Sequence, residues 1–183
     1  MDCIKKPPPL DATLAAVDYD YPWSELISRY KFGQQPGWAP FFAALLLKAP
    51  GVGQALTDLQ AADLILPVPL SKERLQTRGF NQAWELTREL SRQAGSCATT
   101  DSTLLLRVKN TRPQTELKRE ARLANVKGAF QIDPLRINAI KGRRVLLVDD
   151  VMTSGASLFT ATEALRAAGA AHITGIVLAR TPL

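Results

Sequence analysis

The sequence predicts an α/β fold, a mostly parallel sheet flanked by helices. Two observations point there. Val145-Leu146-Leu147-Val148 is an unbroken run of apolar strand formers, and a strand apolar on both faces belongs at the centre of a parallel sheet covered on both sides. A helical pattern follows from about Ala156 to Ala168, with Leu158, Ala161, Leu165 and Ala168 as its inner stripe and Gly169 as its stop. Then comes a second apolar strand, Ile173 to Ala179. Such a strand–helix–strand unit is expected to be parallel and right-handed.

The earlier elements read in order. Ala12 to Val17 is a short strand. Pro22 suits a first helical turn, and Trp23 to Phe32 forms a helix with Trp23, Leu26, Ile27 and Tyr30 on one face. Gly33 to Gly37 turns the chain into a second helix, Trp38 to Lys48, which Pro50-Gly51 stops. Asp63 to Pro69 is a strand that ends at its prolines. Phe80 to Gln93 is helical, with Ala83, Leu86 and Leu90 inward and Gly95 as its stop. Thr103 to Val108 is a short apolar strand, Lys109 to Pro113 a basic loop, Thr115 to Asn125 a charged helix and Ala129 to Ile132 a short strand.

Bulk properties bound the function classes. With 183 residues, 46% apolar and 22% charged, the chain buries a core without staples. No apolar run approaches a bilayer span, and the N-terminus lacks the apolar stretch of a secretory signal. Two cysteines, Cys3 and Cys97, make a disulfide framework improbable, so a cytoplasmic protein is expected. The net charge of +6 is concentrated. Arg107, Lys109, Arg112, Lys118, Arg119, Arg122 and Lys127 are opposed only by Glu116 and Glu120. Such a cluster serves phosphate or nucleic-acid binding, or is a solvated helix face.

The chemistry concentrates in Asp149-Asp150-Val151-Met152-Thr153-Ser154-Gly155-Ala156-Ser157. In open α/β sheets ligands sit at the carboxyl ends of strands. Small residues let a phosphate approach backbone N–H groups, and the helix start adds partial positive charge. Gly155 opens conformations closed to other residues. Thr153, Ser154 and Ser157 add hydroxyl donors, and Ala156 keeps the approach clear. Carboxylates repel phosphate but accept from ribose hydroxyls. Phosphate at the helix start with a diol at the strand end matches a ribose 5-phosphate in size. Successive strand residues face opposite ways. One of Asp149 and Asp150 therefore contacts ribose while the other orients the loop or a metal-bound water. The run Gly-x-x-x-x-Gly-Lys of a P-loop is missing, and a single glycine excludes a dinucleotide fingerprint.

The string Val145 to Ser157 resembles the phosphoribosyl pyrophosphate motif of the type I phosphoribosyltransferases. A broader resemblance is to the ComF family, also described as GntX-like or competence protein F. It rests on Asp63 to Leu70, on Arg78-Gly79-Phe80-Asn81-Gln82-Ala83, on Tyr30-Lys31-Phe32, and on Gln114, Leu117, Arg122, Asn125 and Phe130. It runs over nearly the whole chain and implies the type I phosphoribosyltransferase fold over residues 11–183. Members of that family carry an N-terminal cysteine zinc ribbon. Residues 1–10, with Cys3 alone, look like its residual tail, and one Cys cannot make a four-ligand site. No structural zinc is expected, and the single His172 reads as structural.

The resemblance further implies phosphoribosyl pyrophosphate as ligand, with Mg2+ on its pyrophosphate and Asp149 and Asp150 as the catalytic pair. The loop after the Asp63 strand would receive pyrophosphate, with Ser71, Lys72, Arg74 and Arg78 as available donors and Arg78 foremost. The basic loop around Arg107 to Gln114 occupies the place of a mobile catalytic loop, from which Arg107 and Arg112 would reach pyrophosphate. No general base and no nucleobase-recognition motif stand out. Three functions stay open: a phosphoribosyltransferase for an unidentified acceptor, a non-catalytic factor handling single-stranded DNA in competence, and a regulatory sensor of phosphoribosyl pyrophosphate.

Overall fold

The structure, a computed structural model, describes residues 8–33, 35–109 and 128–182. Thirteen elements follow in chain order: β1 Ala12–Asp18, α1 Trp23–Phe32, α2 Ala39–Lys48, α3 Val52–Thr57, β2 Leu64–Pro67, α4 Lys72–Arg78, α5 Gln82–Ala94, β3 Thr99–Thr100, β4 Leu105–Arg107, β5 Phe130–Ile132, β6 Arg144–Met152, α6 Ala156–Ala167 and β7 His172–Arg180. Five strands form one parallel sheet in the order β1-β7-β6-β2-β3, while β4 and β5 pair as a separate antiparallel ribbon. The α/β class, the parallel sheet and its flanking helices are as the sequence predicts.

Alternation along β6 divides the core. Val145 and Leu147 face one side and meet Leu158, Ala161 and Leu165 of α6. Leu146 and Val148 face the other and meet Ile27, Phe42, Leu46, Leu86 and Leu90 of α1, α2 and α5. All these side chains are buried. The four-residue apolar run is thus two interleaved half-strands, each serving one layer. Leu10, just ahead of β1, already packs in the α6-side layer, against Gly175 of β7.

Several boundaries move. The apolar pattern of β6 breaks at Asp149, but the strand continues to Met152. Its ladder with the nine-residue β7 persists through Asp149–Val177, Val151–Ala179 and Met152–Arg180. Backbone pairing, which ignores side-chain polarity, outlasts the hydrophobic signal. The loop after β2 is short, and the chain enters α4 at Lys72, where the Ser71 side chain accepts from the Arg74 N–H at 3.4 Å. Gly79, at φ +82°, ends α4 in a conformation that favours glycine. The one cis peptide among the described residues is Tyr21–Pro22. The tail residues 1–7, the helix expected over 115–125 and most of the basic loop before it lie outside the described residues. No helix among the described residues is long and apolar enough to cross a membrane.

Candidate functional site

The junction of β6 and α6 is built for close approach. Residues 153–155 form the turn, and α6 begins at Ala156 with Gly155 at φ +76° as its N-cap. A Cβ on Gly155 would lie 2.6 Å from the tip of Phe159 and 2.8 Å from that of Met152, which would have to shift, and the positive φ itself favours glycine. Asp149, Thr153, Gly155, Ala156 and Ser157 line one small open concavity of about 10 Å³ with Val151, Met152 and Leu158. The Ser154 hydroxyl oxygen is buried and has no hydrogen-bond partner among the described residues. An unpaired buried hydroxyl costs about 1–3 kcal/mol, and an anion at this turn would satisfy it.

The two acids meet different neighbours. Asp150 is 3% exposed and faces Lys31 of α1. Its Oδ1 accepts from the Val151 N–H at 2.7 Å, and Lys31 Nζ of α1 lies 3.0 Å from its Oδ2. Oδ1 is thus hydrogen-bonded, whereas Oδ2 is buried and ion-paired with Lys31 but has no hydrogen-bond partner among the described residues. Asp149 belongs to the side of the concavity. Its Oδ1 accepts from the Asp150 N–H at 2.9 Å. Burial raises its pKa, the Asp150 charge raises it further, and Lys31 opposes them.

Cations arrive from two elements across the sheet end. The motif Arg78-Gly79-Phe80-Asn81 is a corner between α4 and α5. Asn81 caps α5 by accepting from the Ala83 N–H at 3.0 Å, and its Nδ2 donates to the Val68 carbonyl at 3.2 Å, fastening the corner to the β2 loop. Phe80 packs on Tyr30 with ring centroids 5.6 Å apart. Arg78 donates to Gln82 Oε1 at 2.5 Å and lies 5.0 Å over the Phe32 ring. Burial lowers its pKa, Arg74 lowers it further, and Asp150 and Asp149 oppose the shift. Arg107, in β4, lies 5.3 Å over Phe130. Burial, with the like charge of Arg74, brings its pKa down to about 10, opposed by Asp149. Three guanidinium groups and two carboxylates thus share one field.

The structure therefore gathers Asp149, Thr153, Gly155, Ala156 and Ser157 around one concavity, with Ser154 beside it and Arg78 and Arg107 within electrostatic reach. It turns Asp150 toward α1. Lys72 stands exposed on the first turn of α4, and Arg112 lies outside the described residues. Arg74, four residues before Arg78, shares its helix face by spacing alone. Sequence reasoning gave Lys31 no role in the site, because no local spacing ties it to Asp150.

Residues 76–182 match the model of the phosphoribosyl transferase domain. The chain is 35% identical over 179 residues to the DNA utilization protein YhgH of Salmonella typhimurium, covering 98% of this chain and 76% of that protein. It is equally identical to competence protein F of Haemophilus influenzae, covering 98% and 77%. Competence protein ComFC of Bacillus subtilis is 33% identical over 119 residues, covering 64% and 45%.

Proposed function

The chain belongs to the phosphoribosyl transferase domain family, among the relatives named for competence and DNA utilization, and from that premise we propose that it binds phosphoribosyl pyrophosphate, or a related ribose 5-phosphate, at the β6–α6 junction. The observation that supports this most is a pairing across one turn. A small-residue cradle with an unpartnered buried Ser154 hydroxyl stands beside Asp149, a carboxylate that helps hold no neighbouring strand.

The 5-phosphate receives the backbone N–H groups of residues 153–157 and the positive end of α6. Asp149 accepts from the ribose diol. Arg78, Arg74 and Arg107 balance the pyrophosphate, whose departure from the anomeric carbon leaves positive charge on the sugar. Among the described residues no group of three His, Cys, Asp or Glu gathers to form a cage. A magnesium ion carried by the pyrophosphate would be held chiefly by that ligand, beside Arg78 and Arg107. There it would neutralise the leaving group, while Arg78 and Arg107 orient it.

A second reading has its own support. One relative is named for DNA utilization and another for competence, and Phe32, 70% exposed beneath the Arg78 guanidinium, offers a surface on which an unpaired base could stack. One experiment separates the readings. The protein is incubated with phosphoribosyl pyrophosphate, magnesium and a panel of acceptor bases, following pyrophosphate release and thermal stabilisation. Release that depends on acceptor and Asp149 supports the transferase. Stabilisation without release supports a sensor. Salt-sensitive binding of single strands that Asp149→Asn leaves unchanged supports the DNA role.

A further inference from the structure

Tyr30-Lys31-Phe32 closes α1 with three side chains sent three ways. Tyr30 is fully buried, donates to the Gln82 carbonyl at 2.8 Å and packs against Phe42 and Phe80. Phe32 points out beneath Arg78. Between them Lys31, with its side chain 17% exposed, reaches the 5% exposed side chain of Asp150 on β6. Two adjacent carboxylates at a strand end repel each other, and a nearly buried cation can hold one of them in place only if its own stem is fixed. Tyr30 fixes it, because its hydroxyl ties the last turn of α1 to the start of α5.

We infer that Lys31 is a positioning residue for the proposed ribose site: from the last turn of α1 it draws the Asp150 carboxylate to the α1 side of β6, and so leaves Asp149 as the carboxylate presented to the ligand's diol. The inference rests on the ribose-phosphate reading for its ligand, but not for its electrostatics. Among the described residues, the groups that face the acid pair are Lys31 and Tyr30 from α1, Arg78 from α4 and Arg107 from β4. Lys31 is the cation in direct contact with Asp150. The Asp150 charge, after burial, also raises the Tyr30 phenol, which places that group firmly in the neutral, donating form. The Lys31 charge also lowers Asp149, opposing burial and the Asp150 charge, which still leave that carboxyl raised.

The test uses the full chain with Lys31→Met and Lys31→Arg. Carbon NMR of the aspartate carboxyl groups is followed against pH without ligand. The Asp149 midpoint should rise by about one unit in Lys31→Met and return to within about 0.3 unit of native in Lys31→Arg. An unmoved midpoint in Lys31→Met overturns the inference. Should that variant not fold, Lys31→Gln carries the same measurement. The second arm is phosphoribosyl pyrophosphate affinity with magnesium as a function of pH. Its acid limb should move up with the midpoint, lowering affinity on that limb about tenfold. If the midpoint moves but the native chain binds no phosphoribosyl pyrophosphate, the ligand reading fails and the role of Lys31 stands. If the native chain binds and the limb stays put in Lys31→Met, the role of Lys31 fails and the ligand reading stands.

Discussion

Aspartates stand at both ends of the same sheet, and the two ends use them in opposite ways. At the amino ends each one clamps neighbouring strands. Asp63, ahead of β2, accepts from the Arg144 N–H that opens β6 and from the Gln60 N–H, both at 2.9 Å. Asp11, ahead of β1, accepts from the Ile173 N–H of β7 at 2.6 Å and pairs with Arg166 of α6. At the carboxyl ends Asp149 and Asp150 each accept from the next residue's N–H within their own strand, and Asp150 also pairs with Lys31 of α1. The pKa directions follow. Burial pushes the Asp11 carboxyl up, but the Ile173 N–H and Arg166 outweigh it and hold it low. Burial and the neighbouring charge leave Asp149 high. The amino-end acids build the fold. The carboxyl-end pair burdens it, as expected where the ligands of open α/β sheets bind.

The sharpest way to break this contrast is Asp63→Ala. It strands two backbone N–H groups at a buried position and should remove about 3 kcal/mol of stability in urea denaturation. Binding of phosphoribosyl pyrophosphate should stay within about twofold. Gly155→Ala comes next. With φ +76° and three contacts under 3.0 Å to two side chains, it should lose about 2 kcal/mol in the same assay. It should also abolish binding, because the amide cradle must shift. Asp149→Asn should divide the two properties: affinity falls at least about tenfold by calorimetry, roughly 1.4 kcal/mol, while stability holds or rises once a buried charge is gone.

The pH dependence of stability is the smallest effect and the one with opposite signs. Asp149 has a folded pKa above its unfolded value, so its contribution is full below the unfolded pKa and is lost as pH rises through the folded one. Asp11 has a lowered folded pKa, so its contribution is present above the unfolded value and is lost as pH falls through the folded one. Thermal melts against pH should show Asp149→Asn flattening the decline on the higher-pH side. Asp11→Asn should flatten the acid limb alone. One slope shared by both variants would contradict the contrast.

Much of this was legible in the residues. The four apolar residues of β6 demanded a covered parallel strand, and the small-residue run after them demanded a turn into a helix. Strand alternation predicts different surroundings for Asp149 and Asp150, though not which one would face the concavity; alternation itself breaks after Val148, where Val151 joins the layer of Leu146 and Met152 that of Leu147. That choice depends on Lys31, whose contact with Asp150 joins elements far apart in sequence. The corner at Arg78-Gly79-Phe80-Asn81 was visible as a motif. Its clamp on the Val68 carbonyl was not, because no periodicity encodes a side chain reaching back to an earlier strand. α4 escaped because its seven residues carry no buried face, so no hydrophobic period announces it. The strand end at Met152 escaped because a hydrogen-bond ladder leaves no trace in polarity.

The most direct test of the ribose-phosphate assignment is an amide NMR titration of the native chain with ribose 5-phosphate. The account predicts saturable shifts centred on the N–H groups of residues 153–157, with the same end-point but weaker binding in Asp149→Asn. Shifts confined to α4 and β4, with residues 153–157 unmoved at saturation, would contradict it.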